Sequence, residues 1–176
     1  MTELRISHTS DLDPGELTAV RGLLDAAFDG DFSDEDFEHG LGGLHARVLD
    51  GTALLAHGSV IQRRVRHAGR WRRVGYVEAL AVRADARRRG LGGQVMAALE
   101  HVIGRAYDFG ALSASDDGAL LYAGRGWQVW PGRISGLGPE GVVRLPDEEG
   151  TTFVWPAPDH RADEDLVFDW RDGDVL

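Results

Sequence analysis

Two neighbouring features have residue types and spacing suited to chemistry. Glu78 interrupts an otherwise apolar run over 76–82, and the pattern Arg87-x-x-Gly90-x-Gly92, with Arg88 and Arg89 inside it, follows within a few residues. An apolar strand that enters a tight, basic, glycine-rich turn and then opens a helix at about Gly92 presents successive backbone N–H groups at a positive helix end. That is a site for a phosphate or pyrophosphate. No Gly-Lys-Ser/Thr follows, and the glycines are wrongly spaced for a dinucleotide fingerprint. The plain alternative is a helix start that carries arginines. A carboxylate in an apolar strand is partly desolvated, which raises its pKa toward that of a general base. It can equally be the partner of a nearby arginine. Tyr122 is either a proton donor or a core tyrosine with a satisfied hydroxyl.

These groups need elements to hold them. Residues 4–8 read as a first strand. Asp13 caps a helix with Pro14 at its first position and Glu16 reaching back, and Leu17, Val20, Leu24 and Phe28 carry it to Gly30. Ser33 caps a second helix through 38. Strands over 46–49 and 53–67 turn at Asp50-Gly51, and Ala68-Gly69-Arg70 turns back into the strand that ends near 82. Leu91, Val95, Leu99, Val102 and Ala106, widened by Met96 and Ile103, form the apolar stripe of a long helix. A strand over 110–113, a short helix over 118–124, a strand beginning at Gly126-Trp127, loops and a hairpin over 131–146 and a final strand over 151–155 complete the order. It is an α/β (α+β) pattern: one domain over 1–176, with a mixed, mostly antiparallel sheet and helices on both faces.

Composition excludes several classes. The 176 residues carry a net charge of −10, which argues against non-specific binding to nucleic acid. All 19 basic residues are arginine; there is no lysine, asparagine or cysteine. Disulfides, thiolate metal sites and a cysteine nucleophile are therefore excluded. The seven histidines show no metal-ligand spacing, so no metal is expected. His39 and His45 flank glycines, where a structural or capping role is expected. No apolar stretch is long enough to cross a membrane, and the first residues lack a signal-peptide core, both of which fit the cytoplasm. Arginines crowd 63–89; Arg63 to Arg73 can meet a phosphate or form a solvated hairpin face. Acids lie elsewhere: Asp31, Asp34, Glu35, Asp36 and Glu38; Asp147, Glu148 and Glu149; and a tail from Asp159 and Asp163 through Asp174, anchored by Leu166, Val167, Phe168 and Trp170. Such runs are usually solvated. A basic band with acidic patches also suits an anionic donor and a cationic acceptor.

The Arg87-x-x-Gly90-x-Gly92 loop resembles the acyl-CoA pyrophosphate loop of the GCN5-related N-acetyltransferases. The segments Ala27-Phe28-Asp29-Gly30-Asp31-Phe32, Glu38-His39-Gly40-Leu41-Gly42-Gly43-Leu44-His45-Ala46, Val60-Ile61-Gln62-Arg63-Arg64, Gly75-Tyr76-Val77-Glu78, Gly110-Ala111-Leu112-Ser113, Leu121-Tyr122-Ala123-Gly124-Arg125-Gly126-Trp127 and Asp169-Trp170-Arg171-Asp172-Gly173-Asp174-Val175 resemble the aminoglycoside 2′-N-acetyltransferases within that superfamily. The resemblance implies a fold in which the strand before the loop and the strand after its helix splay apart. It implies acetyl-CoA as donor, held by Leu80, Ala81, Val82, Arg87, Arg88, Arg89, Gly90, Leu91, Gly92 and Gly93. It implies a 2′-amine of an aminoglycoside as acceptor, contacted by Asp31, Asp36, Glu78, Ala79, Ser113, Glu148, Asp174 and the carboxylate of Leu176. Glu78 then accepts the proton through water, Tyr122 supplies one to the leaving thiolate, and the protein is a homodimer. Family members end in tryptophan where this chain has Leu176. Ser113 could equally cap a helix. The competing functions are acetylation of another small cationic amine or a peptide, and binding of drug or CoA without turnover.

Overall fold

The structure, a computed structural model, describes residues 1–158 and 164–176; Asp159 and Asp163 of the acidic tail lie outside them. The elements are β1 (Thr2–His8), α1 (Pro14–Ala27), α2 (Asp34–His39), β2 (Leu44–Asp50), β3 (Ala53–His67), β4 (Arg70–Val82), α3 (Leu91–Ala106), β5 (Phe109–Ser113), α4 (Asp116–Gly124), β6 (Gln128–Val129), β7 (Ile134–Gly138), β8 (Gly141–Arg144), β9 (Thr152–Trp155) and β10 (Leu166–Asp169). The chain forms two compact units, Met1–Ile61 with Val77–Val102, and Gln62–Tyr76 with Ile103–Leu176; β3, β4 and α3 run from one into the other. The class is α+β, a mixed sheet with helices.

In the first unit β1 pairs antiparallel with β2, and β2 with β3. Helix α1 starts as read: Asp13 accepts from Glu16 N–H and Glu16 reaches back, with Pro14 at the first position. Its buried Val20, Leu23 and Leu24 pack with Ala81, and Phe32 and Phe37 close over them. Each such side chain stabilises by about 1.5–3 kcal/mol. Arg21 ties the following loop down by bonding Asp25, Asp34 and the Phe32 carbonyl. Helix α3 covers the opposite face: a methyl on Gly58 would lie 2.8 Å from Val95 and 3.3 Å from Leu99. Helices therefore flank both faces of this part of the sheet. The start of α3 is Leu91, one residue before the expected Gly92, because Gly90 supplies the carbonyl for the Gln94 N–H.

The α1 face of β2 and β3 carries a buried polar layer. His45, Arg47, His57 and Ser59 all lie within it, none more than 4% exposed. Arg47 bonds Glu16 and Ser7. Gly42 N–H donates to Thr9 Oγ1 at 2.8 Å, which lies 2.8 Å from His45 Nε2. His45 Nδ1 is 2.9 Å from His57 Nε2, and His57 Nδ1 is 3.0 Å from the Ala79 carbonyl. A carbonyl only accepts, so His57 carries its proton on Nδ1 and His45 donates from its own Nδ1; the Thr9 hydroxyl donates into His45 Nε2. With both imidazoles neutral, as burial favours, the Thr9 hydroxyl turns to His45 Nε2 rather than to the Gly43 carbonyl 3.3 Å away, and one direction runs through the chain of bonds. Burial, with Arg47 and His8 adding repulsion, drops His45 to about 4. Burial, with His45 and Arg47 close by, drops His57 to about 3.

In the second unit the strand order is β6-β9-β5-β4-β3-β10-β7-β8. The parallel β4–β5 ladder ends at Tyr76↔Ala111, although β4 runs on to Val82. Trp127 stacks on Trp155, and Phe109, Leu112, Ile134, Leu166 and Phe168 fill the core. Here the expectations need three corrections. The strand after α4 begins at Gln128, because Trp127 N–H is used by the Tyr122 carbonyl. Helix α4 starts at Asp116, two residues early, from Ser115. The strand Thr152–Trp155 is not the last: Leu166–Asp169 adds to β3 and β7, since its apolar residues bury completely there.

Two outcomes follow. A methyl on Gly43 would collide with the Val60 carbonyl oxygen, so Gly43→Ala should lower stability by about 1–3 kcal/mol or more in urea unfolding. Below pH about 6.5 the unfolded chain protonates both imidazoles, whereas the native chain does so only near about 4 and about 3. Stability should fall as pH drops through that window. His57→Asn should shallow the slope of stability against pH there.

Candidate active site

In the first unit the site begins with the backbone of β4. Ala79 has φ +52°, a left-handed conformation that costs an L-residue about 1–2 kcal/mol. Successive strand residues should alternate faces, putting Glu78 and Leu80 together. They are not together. A methyl on Gly40, at the end of α2, would lie 3.9 Å from Glu78 Cβ and 3.1 Å from Ser59 Oγ; one on Gly58 would lie 3.1 Å from Leu80 Cδ1. Ser59 and Gly58 are consecutive in β3 and face opposite ways. Glu78 therefore points toward α2 and Leu80 toward α3, and the left-handed residue between them is a bulge that changes the face. Glu78 is partly buried, as are Ala79 and Leu80, and Ala81 is buried. The Ser59 hydroxyl beside it has no hydrogen-bond partner among the described residues.

Beyond Val82 the chain makes a 3-10 turn and then the basic loop. Arg87, Arg88, Arg89 and Gly90 are exposed, with left-handed φ of +57° at Arg88 and +78° at Gly90. Leu91, Gly92 and Gly93 form the first turn of α3, whose N–H groups have no carbonyl ahead of them in the helix. Arg83, just before, is occupied by Asp85. A basic, exposed loop curling into a helix N-terminus can receive a phosphate or pyrophosphate. Of the acids, Asp31 is exposed. Asp36 is partly committed to the backbone, accepting from Ser33 N–H at 2.9 Å in the α2 capping box.

In the second unit Tyr122 lies on α4, buried, with its ring against Trp127 and Phe153. Burial pushes its phenol up to about 12, so it holds its proton at neutral pH. Ser113 does not cap a helix: its hydroxyl donates to Glu148 Oε2 at 2.7 Å. These two sequence-predicted contacts are thus one group, with Glu148 on a 3-10 turn at Pro146–Glu148. Asp174 and Leu176 end a tail that Arg63 holds. Arg63 is 2% exposed, overturning its reading as part of a solvated face or as a phosphate ligand. It donates to Asp169 Oδ1 at 2.7 Å, to the Asp169 carbonyl, and to the Val175 carbonyl at 2.6 Å. Its guanidinium lies over Tyr76 and Phe168. Arg171 donates to the Asp174 carbonyl. Sequence reading missed Arg63, His45 and His57 as parts of the site's support. The signal available for the histidines was alternation: 45 and 47, and 57 and 59, are polar residues at period two within otherwise apolar or small stretches over 44–49 and 53–61.

Arg63→Met should release the tail after Asp169, making it accessible to carboxypeptidase. It should lower stability by about 2–4 kcal/mol in urea, since several charge-assisted bonds go at once.

The acetyltransferase (GNAT) family signature matches residues 17–120. A protein from Mycolicibacterium fortuitum named aminoglycoside 2′-N-acetyltransferase is 47% identical over 97% of this chain and 90% of its own length. An acyl-CoA N-acyltransferase from Pseudomonas aeruginosa shares the fold at TM-score 0.59 and 18% identity, covering 88% of this chain and 99% of that one. Escherichia coli ElaA does so at TM-score 0.58 and 20% identity, over 73% of this chain and 88% of its own. With the family signature spanning the first helix to α4, and a relative this close over nearly the whole length, the chain belongs to the acetyltransferase (GNAT) family.

Proposed function

We propose that this protein transfers acetyl from acetyl-CoA to the 2′-amine of an aminoglycoside or a similar polycationic amine. The likeness to the Mycolicibacterium fortuitum enzyme over 97% of the chain carries the reading. Acetyl-CoA supplies a thioester activated toward amines. The backbone of Leu80, Ala81 and Val82 holds its pantetheine arm, and Arg87 through Gly93 hold its pyrophosphate. The two units have no linker between them and share β3, β4 and α3, which supports one working domain over 1–176.

An ammonium has no lone pair, so the acceptor must first lose a proton. Glu78, turned toward α2 by the Ala79 bulge, takes it through water, with Ala79 beside the acceptor. Tyr122, protonated at working pH, gives its proton to the departing thiolate. Direct transfer suits a chain without cysteine. Carboxylates recognise the polycation: Asp31 and Asp36, Glu148 with Ser113, and Asp174, with Leu176 beside it. The protein acts in the cytoplasm as a homodimer and confers resistance. Among the described residues no helix is long and apolar enough to cross a membrane. A second reading, another small cationic amine as the natural acceptor, is favoured by Leu176, which lacks an aromatic ring to stack on a sugar.

Thiol release from acetyl-CoA should depend on aminoglycosides bearing a 2′-amine and not on analogues with a 2′-hydroxyl; no release with any 2′-amine would overturn the reading. Glu78→Gln should lower kcat/KM at neutral pH by about 10²-fold or more while acetyl-CoA affinity stays within about twofold. Tyr122→Phe should lower kcat by about 10-fold or more, measured with saturating acceptor.

A further inference from the structure

The buried histidine pair has no place in the chemistry above, and both rings are closed off from solvent. We propose that His57, with its tautomer fixed by His45, is a positioning residue that holds the Ala79 bulge and thereby aims Glu78. The inference rests on the reading of Glu78 as the base.

The bulge needs a left-handed alanine, which the backbone alone disfavours. Some external group must hold it. His57 Nδ1–H, 3.0 Å from the Ala79 carbonyl, is the side chain bonded there. The donor position on His57 is not free to choose: His45 Nδ1–H occupies its Nε2 at 2.9 Å. His45 is fixed in turn by the Thr9 hydroxyl, which Gly42 N–H holds. Both histidines sit in one sheet face, on β2 and β3, so their rings cannot swing away without opening the strand pair. The bond ends on a backbone carbonyl, which cannot take up a proton, so the pair positions and does not relay. Without it, relaxation of Ala79 to an ordinary strand conformation would return Glu78 to the α3 face with Leu80.

The test uses the full chain. In the wild type, imidazole ¹⁵N shifts should show His57 and His45 each protonated on Nδ1 alone; any other tautomer overturns the proposal without need of a variant. His57→Leu should lower kcat/KM for the amine about 10- to 100-fold through kcat, with KM for acetyl-CoA nearly unchanged, and should shift the Ala79 carbonyl ¹³C resonance. His57→Asn, whose amide can donate from near the Nδ1 position, should restore most of both. A folded His57→Leu with unchanged kcat and carbonyl shift overturns the proposal, as does Asn failing to restore them. If Glu78→Gln keeps full activity, the base assignment fails, while the tautomers and the carbonyl shift still decide whether the pair holds Ala79.

Discussion

One hydrogen bond, from His57 Nδ1 to the Ala79 carbonyl, sets the direction of the strand that matters most. A regular strand would put Glu78 beside Leu80, among Val95 and Leu99 of the long helix. There a carboxylate would be buried in apolar surroundings. The left-handed turn at Ala79 costs roughly 1–2 kcal/mol and moves Glu78 to the side of Gly40 and Ser59. The strand resumes with Ala81 facing α1, and the basic loop follows. The acid thus inherits its orientation from one strained residue and its support.

That support explains why so polar a layer is buried. Burying an imidazole or guanidinium is unfavourable unless its hydrogen bonds are met; those of the two imidazoles are, while Arg47 Nε and Ser59 Oγ in the same layer have no partner among the described residues. In the first unit the bonds run in one direction from Gly42 to Ala79, and Arg47 bonds Glu16, itself part of the α1 capping box. The capping of one helix and the orientation of the site therefore draw on the same sheet face. The glycines preceding His45 belong to this arrangement: Gly42 has φ +81° and donates to Thr9, and Gly43 lies too close to β3 for any side chain.

The second unit achieves position differently. Its core is aromatic and apolar around Trp127, Phe153 and Phe168, and one buried arginine does what the histidines do in the first. Arg63 grips backbone carbonyls at Asp169 and Val175, so the acidic tail ends in a defined place despite its charge. The ring environment that buries Tyr122 also keeps it protonated, because a phenolate there would lose its hydration.

Much was legible in local pattern. The α1 capping box, the Gly51 and Gly69 turns, the stripe of α3 and the exposed Arg87 to Gly90 loop each depend on neighbours within a turn or two, and sequence determines such features directly. The polar alternation at 45, 47, 57 and 59 was visible but had no meaning until β2 and β3 were in register. Whether Arg63 is solvated or buried, whether Ser113 caps a helix or binds Glu148, and which face Glu78 takes depend on partners 35 to 112 residues away or on a single backbone angle. By itself the sequence determined the chemical groups and most of the elements, since those follow from residue type and periodicity; the strand Leu166–Asp169 exists only through its pairing with β3 and β7. Only the tertiary structure decided where the groups point, because a strained φ and a buried charge persist only when distant residues supply the bonds that hold them.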